Sequence, residues 1–306
     1  MSGRRMLFHR DFLGYTGGHG KVWDYFNHAL ALGWDARVYL TPGSLRGSTN
    51  PWSALPGRIE ATWRPSQADV LFLGGMDWLA LDDTVPAAST HVINLVQHVR
   101  HADPASPLRA FLGRNAWRIC VGRAVADAIV STGDVVGPVR VIPAGLDLTV
   151  SRQAGEQEGA GVFIGALKNP GLGLALAGML SDAGCSVRLE AGWMPRDAFL
   201  AAMAEAETVV ALPHPTEGFF LPGLEALALG RSLVMPPCGG SGEYARDGWN
   251  CLMPPPDPDA LAAAVLRLRD RPLRARLRQN GFETVARHSL AAERAAFAGL
   301  LDEVVA

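Results

Sequence analysis

Residues 214–230 read HPTEGFFLPGLEALALG, from His214 to Gly230. They follow the run Thr208-Val209-Val210-Ala211-Leu212, which predicts a buried parallel strand feeding a loop rich in proline, glycine and aromatics. A helix is expected from about Pro222: proline in a first turn removes only an N–H that lacks an intrahelical partner, and Leu224, Leu227 and Ala228 continue one apolar face. Glu225 then falls in the first turn, and Glu217 lies in the loop ahead of it. The backbone N–H groups of Gly218, Phe219, Phe220 and Leu221 stand at the positive end of the helix dipole, an arrangement that holds phosphate oxygens. A first-turn glutamate by itself also serves simply to complement the dipole. A nucleotide sugar accounts for both carboxylates together. Its diphosphate takes the N–H groups, Glu225 accepts the ribose hydroxyls, and Glu217 faces the transferred sugar.

Glu217 and Glu225 bracket seven residues. The string continues with Gly230-Arg231-Ser232-Leu233-Val234, then Gly239-Gly240-Ser241-Gly242-Glu243, then Asp247-Gly248-Trp249-Asn250-Cys251-Leu252. From about His214 to Ala264 it resembles the carboxyl half of the retaining GT-B glycosyltransferases of the group 1 family, the E-x7-E type. The resemblance implies an α/β fold of two Rossmann-like domains whose parallel sheets face each other across a cleft. It also implies transfer of a hexose-type sugar from a nucleoside diphosphate sugar, with UDP or GDP as the nucleotide, to a hydroxyl acceptor with retention, in glycan or polysaccharide biosynthesis. Front-face substitution is the implied route, with the departing phosphate helping to deprotonate the acceptor. No cofactor beyond the donor and no metal are implied.

Composition is compatible with that expectation. The chain has 306 residues, 48% of them hydrophobic, enough for two ordinary cores. Lys and Arg total 28 against 30 acidic residues, and the net charge of −2 carries no nucleic-acid footprint. Cys120, Cys185, Cys238 and Cys251 stand far apart with no C-x-x-C pair, which suits free thiols in a reducing cytoplasm. The opening MSGRRMLFHRDF has no apolar segment of signal length, and no stretch approaches the roughly 18 apolar residues of a membrane span. Any membrane contact is therefore expected to be peripheral, at the inner face.

In the first half, residues 6–9 predict a strand, followed by a loop containing Gly17 and Gly18 and a helix over about 21–32. Strand, glycine loop and helix open a Rossmann-like unit, although the spacing is not the G-x-G-x-x-G fingerprint. A plain flexible turn is the alternative; the resemblance implies that Gly17 and Gly18 line the donor site. Further strands are expected at 37–40, 69–73, 91–96, 119–122 and 139–142, which alternate with helix-length segments as in a parallel sheet. Residues 41–65, with four prolines and three glycines, read as an irregular surface loop. After the strand at 91–96 comes Gln97-His98-Val99-Arg100-His101, at a carboxyl strand end where open α/β sheets place ligands. His98 and His101 lack a third metal ligand of recognisable spacing. The resemblance implies that His98 contacts the donor sugar; a loop histidine satisfied by a hydrogen bond is the alternative.

Residues 151–160, SRQAGEQEGA, form the expected linker between an acceptor-side domain at 1–150 and a nucleotide-sugar domain at 161–288. Strands are expected at 162–164, 187–190, 208–212 and 232–235. Helices should follow at about 258–268, 272–288 and 289–305, and the resemblance implies that the last one, 289–306, crosses back to the first domain. At the end of the strand 162–164 stands Lys168, one of only two lysines with Lys21. It suits a point charge for a diphosphate leaving group, or alternatively a solvated loop charge. The family's usual arginine before this lysine is replaced here by Ala166 or Leu167, with Arg196 a weak substitute.

The segment from Pro107 to Arg123 places Leu108, Phe111, Leu112 and Trp117 near one helical stripe beside Arg109, Arg114, Arg118 and Arg123, with no acidic residue. As a helix it would either lie on an anionic membrane, serving a lipid-linked acceptor, or face the core with its arginines in solvent. A soluble glycan or small-molecule acceptor goes with the second case. Two functions compete with glycosyl transfer: a nucleotide-sugar epimerase on the same fold, and a non-catalytic sugar-nucleotide-binding protein.

Overall fold

The computed structural model describes residues 4–82, 87–147 and 159–306. Most of the expected linker, 151–158, and the end of the expected first domain, 148–150, lie outside the described residues. The chain divides into two units, Met1–Ala144 with Glu293–Ala306, and Gly145–Ala292. The first unit stops short of the expected 150 because Leu146 is tied into the second: its N–H donates to the His288 carbonyl at 2.8 Å, and it accepts from Leu290 N at 3.0 Å.

In the first unit the strands are β1 (Arg5–Arg10), β2 (Asp35–Leu40), β3 (Ile59–Glu60), β4 (Val70–Gly74), β5 (His91–Val96), β6 (Trp117–Cys120) and β7 (Val139–Val141). They form one sheet in the order β3-β2-β1-β4-β5-β6-β7, and every pairing is parallel. Helix α1 (Gly17–Ala31) links β1 to β2, and α2 (Arg123–Val130) links β6 to β7. The apolar runs Leu7-Phe8 and Val70 to Leu73 are buried on both faces, as parallel strands covered by helices require. Phe8 stacks on Phe72 at 4.7 Å and meets Phe26 edge-on at 5.2 Å.

Three expectations are corrected here. Helix α1 begins at Gly17 rather than near Lys21, because Thr16 caps it by accepting from His19 N at 3.3 Å. The glycines thus form its first turn. Residues 41–65 are not wholly irregular: the short edge strand β3 and several 3-10 turns lie there, and Trp52 is fully buried among Phe12, Trp23 and Phe26. The segment from Pro107 to Arg123 is no single helix but a 3-10 turn, Pro107–Gly113, followed by strand β6. Arg118 points inward and is fully buried; its guanidinium donates to Asn94 Oδ1 and to the carbonyls of Phe111, Leu112 and Arg114. Arg109 pairs with Asp134 at 2.8 Å and Arg114 with Asp82 at 2.6 Å, so acidic residues distant in sequence balance the expected basic face.

The second unit contains β8 (Val162–Gly165), α3 (Pro170–Asp182), β9 (Val187–Glu190), α4 (Arg196–Glu205), β10 (Thr208–Ala211), α5 (Leu221–Ala228) and β11 (Ser232–Val234). The sheet order is β11-β10-β8-β9, again parallel throughout. Ile164, Val210, Leu212 and Val234 pack with Leu176, Leu261, Val265 and Leu277 into one core. Helices α6 (Pro258–Arg267) and α7 (Arg271–Val285) each start at an aspartate cap with a proline in the first turn, the carboxylates of Asp257 and Asp270 accepting from Ala260 N and Leu273 N. Helix α8 (Leu290–Val304) ends the chain, and its residues from Glu293 onward belong to the first unit. Among the described residues no helix is long and apolar enough to cross a membrane. All four cysteines are free thiols, with burial pushing Cys120 and Cys251 up to about 12.

Candidate active site

At the carboxyl end of β10 the chain runs through Pro213 to Phe220 and enters α5 at Leu221, with Phe220 as the N-cap and Pro222 in the first turn. Two devices fix this entry. Tyr244 Oη donates to the Phe220 carbonyl at 2.6 Å, and a Cβ on Gly223 would meet that same hydroxyl at 2.3 Å, so only glycine fits beneath it. The neighbouring glycine loop clamps the other side. Gly239 N donates to Pro215 O at 2.9 Å and Gly240 N to Glu217 O at 2.7 Å, with a Cβ on Gly240 falling 1.8 Å from the Gly218 carbonyl. Backbone lies on backbone there, which explains why Gly239-Gly240 accompanies the glutamate motif.

Glu217 is half-buried, its carboxylate 17% exposed, and its Oε1 lies 3.8 Å from Lys168 Nζ. Lys168 itself sits in the turn between β8 and α3 and is 54% exposed. Parallel pairing of β8 with β10, from Val162 against Thr208 to Gly165 against Ala211, delivers the two loops side by side at the same sheet edge. At this separation the pair is an ion pair without a direct hydrogen bond, which leaves the ammonium free to turn toward an anion. Glu225 differs from its expected place. Helix α5 starts at Leu221, so Glu225 lies in the second turn, and its carboxylate is only 4% exposed. Arg196 at the start of α4 pairs with it. The geometry of that pair is ionic rather than a well-aligned hydrogen bond, since Glu225 Oε1 has no hydrogen-bond partner. Arg196 therefore commits its guanidinium to Glu225, whereas the sequence made it a substitute cation beside Lys168. Phe219 packs on Tyr244 at 5.3 Å and His288 at 5.8 Å and, with Gly218 and Phe220, is buried; these side chains shape the loop from within.

The remaining candidates lie in the first unit. Gly17 and Gly18 form the amino end of α1, and Gln97 Nε2 donates to the Gly18 carbonyl at 3.2 Å. His98 is half-buried and caps a 3-10 turn, its Nδ1 accepting from Arg100 N at 3.4 Å. His101 Nδ1 lies 2.9 Å from the His98 carbonyl, and burial lowers His101 to about 4. Sequence reasoning passed over one constellation altogether: Arg10 and His9 at the end of β1, Asp77 after β4, and His19 in α1 form a connected polar cluster. The only signal was position, because Arg10 and Asp77 both stand just beyond buried apolar strands.

Comparison with known proteins agrees with this geometry. Residues 183–271, which include both glutamates and the Gly239-Gly240 clamp, match the family model described as Glycosyl transferases group 1. That stretch of the second unit is similar to a group 1 glycosyl transferase domain. Among solved structures, sucrose-phosphate synthase from Thermosynechococcus elongatus is similar to this chain with a TM-score of 0.71 at 17% identity, over 98% of this chain and 99% of that one. A glycosyltransferase from Rickettsia africae reaches 0.74 at 11% identity, over 100% and 99%. HepE from Anabaena, solved with UDP and glucose, gives 0.71 at 16% identity, over 98% and 100%. These likenesses establish the fold, which is GT-B. No curated protein sequence matches the chain.

Proposed function

We propose that this glycosyltransferase moves a hexose-type sugar from a nucleoside diphosphate sugar to a hydroxyl acceptor with retention, in glycan or polysaccharide biosynthesis. The observation that carries the proposal is the approach of Lys168 to Glu217 at the loop that opens α5, 3.8 Å apart. A cation able to leave its partner, next to a helix amino end, suits a diphosphate whose negative charge grows as the glycosidic bond breaks. In this scheme the acceptor oxygen bonds to the anomeric carbon on the face from which the diphosphate departs. A departing phosphate oxygen takes the acceptor's proton, and Lys168 compensates the charge left on the diphosphate. Glu217 holds hydroxyls of the sugar, and Glu225 takes the ribose diol once Arg196 yields it. The likeness to HepE, a protein solved with UDP and with glucose, supports a uridine nucleotide as the first to try.

The test is thermal denaturation with a panel of nucleotides and nucleotide sugars, followed by assay of free nucleotide and product. Stabilisation by one nucleoside diphosphate sugar, with release of its nucleotide only when an acceptor is turned over, is the expected result. Interconversion of donor sugars without acceptor would instead make the chain an epimerase, and binding without turnover would make it a non-catalytic sugar-nucleotide protein. The anomeric proton coupling of the product decides retention.

A further inference from the structure

Strand β9 (Val187–Glu190) ends the sheet of the second unit, and among the described residues no strand pairs with its outer side. Val162 N donates to the Ser186 carbonyl and Ala166 N to the Glu190 carbonyl, each at 2.8 Å. In a parallel ladder this alternation turns the backbone of Arg188 and Glu190 toward β8, and that of Val187 and Leu189 toward the open edge. Such an edge is a template for another strand, and proteins commonly blunt it with charge. Arg188, taken alone, would do that.

Its companion on the same face reverses the effect. Arg188 Nε donates to Glu190 Oε1 at 3.0 Å, and Nη1 donates to Glu205 Oε2 at 3.2 Å. A lone positive charge repels a second copy of the strand, whereas an arginine and a glutamate two residues apart are self-complementary once the two copies run antiparallel. With Leu189 opposite its own counterpart, Arg188 faces the partner's Glu190 and Glu190 faces the partner's Arg188. The same register sets Val187 against the partner's Ala191. The residues whose backbone points outward then exchange the hydrogen bonds, and the charged residues take the closer, non-hydrogen-bonded positions. Moving the two-fold axis by one residue either way sets Arg188 against Arg188 or Glu190 against Glu190. Charge therefore selects the register centred on Leu189.

We propose that β9 is an interface between two copies of this chain, an antiparallel two-fold pairing centred on Leu189 that joins the four-stranded sheets of two second units into one continuous sheet. The helix above the edge fits the same partner. Helix α3 lies over β9, where a Cβ on Gly173 would come 3.1 Å from Leu189 Cδ1. It carries no charged side chain before Asp182, and its Leu174 is 68% exposed. A surface helix ordinarily turns charged residues to solvent; extending the sheet through β9 brings the uncharged α3 helices of the two copies into neighbouring positions on one face. The pairing does not depend on what the donor site binds.

The experiment is sedimentation equilibrium of the full chain over a range of concentrations, for the parent, Arg188→Glu, Glu190→Arg and the double exchange. The side chain of Arg188 is 47% exposed and that of Glu190 27%, so the core is left intact, and thermal melting checks the fold of each variant. The parent is expected to associate reversibly to a dimer. Each single change should weaken that association by at least about tenfold, because like charges then face each other at both charged positions. The double exchange should restore it, and a mixture of the two single variants should form a heterodimer although neither pairs with itself. A parent that stays monomeric up to about 0.1 mM overturns the proposal, since even weak edge pairing populates a dimer there. A dimer that survives either single change overturns it too, by placing the interface elsewhere. So does a double exchange, or a mixture of the single variants, that remains monomeric.

Discussion

Lys21 and Lys168 are the only lysines of the chain, and they stand in opposite environments. Lys168 is mostly exposed beside Glu217, whereas Lys21 is buried between Asp24 and Glu293, at 2.8 Å from each. Rarity alone does not tell the two apart, and burial separates them. For Glu225 the expected effect is on the nucleotide: Glu225→Ala should raise the dissociation constant of the nucleoside diphosphate by about one to two decades, the worth of about 1.5–3 kcal/mol for hydrogen bonds to a charged group. Calorimetry showing unchanged affinity would remove Glu225 from the ribose site. Arg196, which loses this ion pair, is 37% exposed and can be rehydrated, so the fold should survive the change. Glu217→Gln should act on the other end of the donor. It should weaken the intact nucleotide sugar while leaving the free nucleoside diphosphate within about threefold, a difference of less than about 0.7 kcal/mol; equal weakening of both ligands would show that Glu217 does not touch the sugar.

At the scale of elements, the segment Pro107–Gly113 and strand β6 show what hydrophobic spacing leaves out. Leucine, phenylalanine and tryptophan at helical intervals suggested an amphipathic helix with four solvated arginines. Yet Arg118 belongs to a strand paired along both edges, with β5 and β7, and a guanidinium with several carbonyl partners can be housed there. Single-sequence periodicity cannot register those partners, since they come from a turn that folds back over the strand. By contrast, β8, β9, β10 and β11 were legible almost to the residue, because short β-branched runs between glycine or proline loops have no competing helical pattern. Arg118→Met should destabilise the first unit by about 3–5 kcal/mol, because several buried acceptors lose their donor at about 1–3 kcal/mol each. Arg118→Lys should recover less than half of that, having one nitrogen where the guanidinium presents a fork. Urea denaturation followed by tryptophan fluorescence is the measure, and a loss below about 1 kcal/mol would mean that water substitutes for the guanidinium. Since Arg109 and Arg114 are paired as well, the protein is expected to be recovered equally from neutral and anionic liposomes at low salt; salt-sensitive enrichment on the anionic ones would restore a membrane role to this segment.

At the scale of the whole chain, the clearest long-range tie joins α1 to the last helix, 272 residues apart in sequence. Glu293 Oε2 accepts from Lys21 Nζ at 2.8 Å and lies 3.0 Å from His28 Nε2, while Phe297, one turn on, meets Tyr25 edge-on at 4.9 Å. No sequence pattern marks Glu293 as special in Ala-Ala-Glu-Arg-Ala-Ala, where a solvated glutamate is the ordinary expectation. Only the packing of α8 on the first unit puts it inside, at 2% exposure. Burial pushes its carboxyl up, but the Lys21 ammonium and the His28 ring pull it down further, to a net value below the usual 4.5. A carboxylate lowered on folding contributes stability that is fully present above its unfolded value and is lost as the pH falls through its folded one. Glu293→Gln keeps the shape but leaves the buried ammonium with Asp24 alone, and it should cost about 3–5 kcal/mol near neutral pH, as breaking a buried ion pair does. The gap between variant and parent should stay constant from neutrality down to the ordinary carboxylate range and close below it, because protonation then removes the same charge from the parent. Urea midpoints measured across that range decide the matter. A gap that persists unchanged at the acidic end would mean that Glu293 acts through packing and hydrogen bonds rather than through its charge, and that the terminal helix is held by Phe297 and its apolar neighbours.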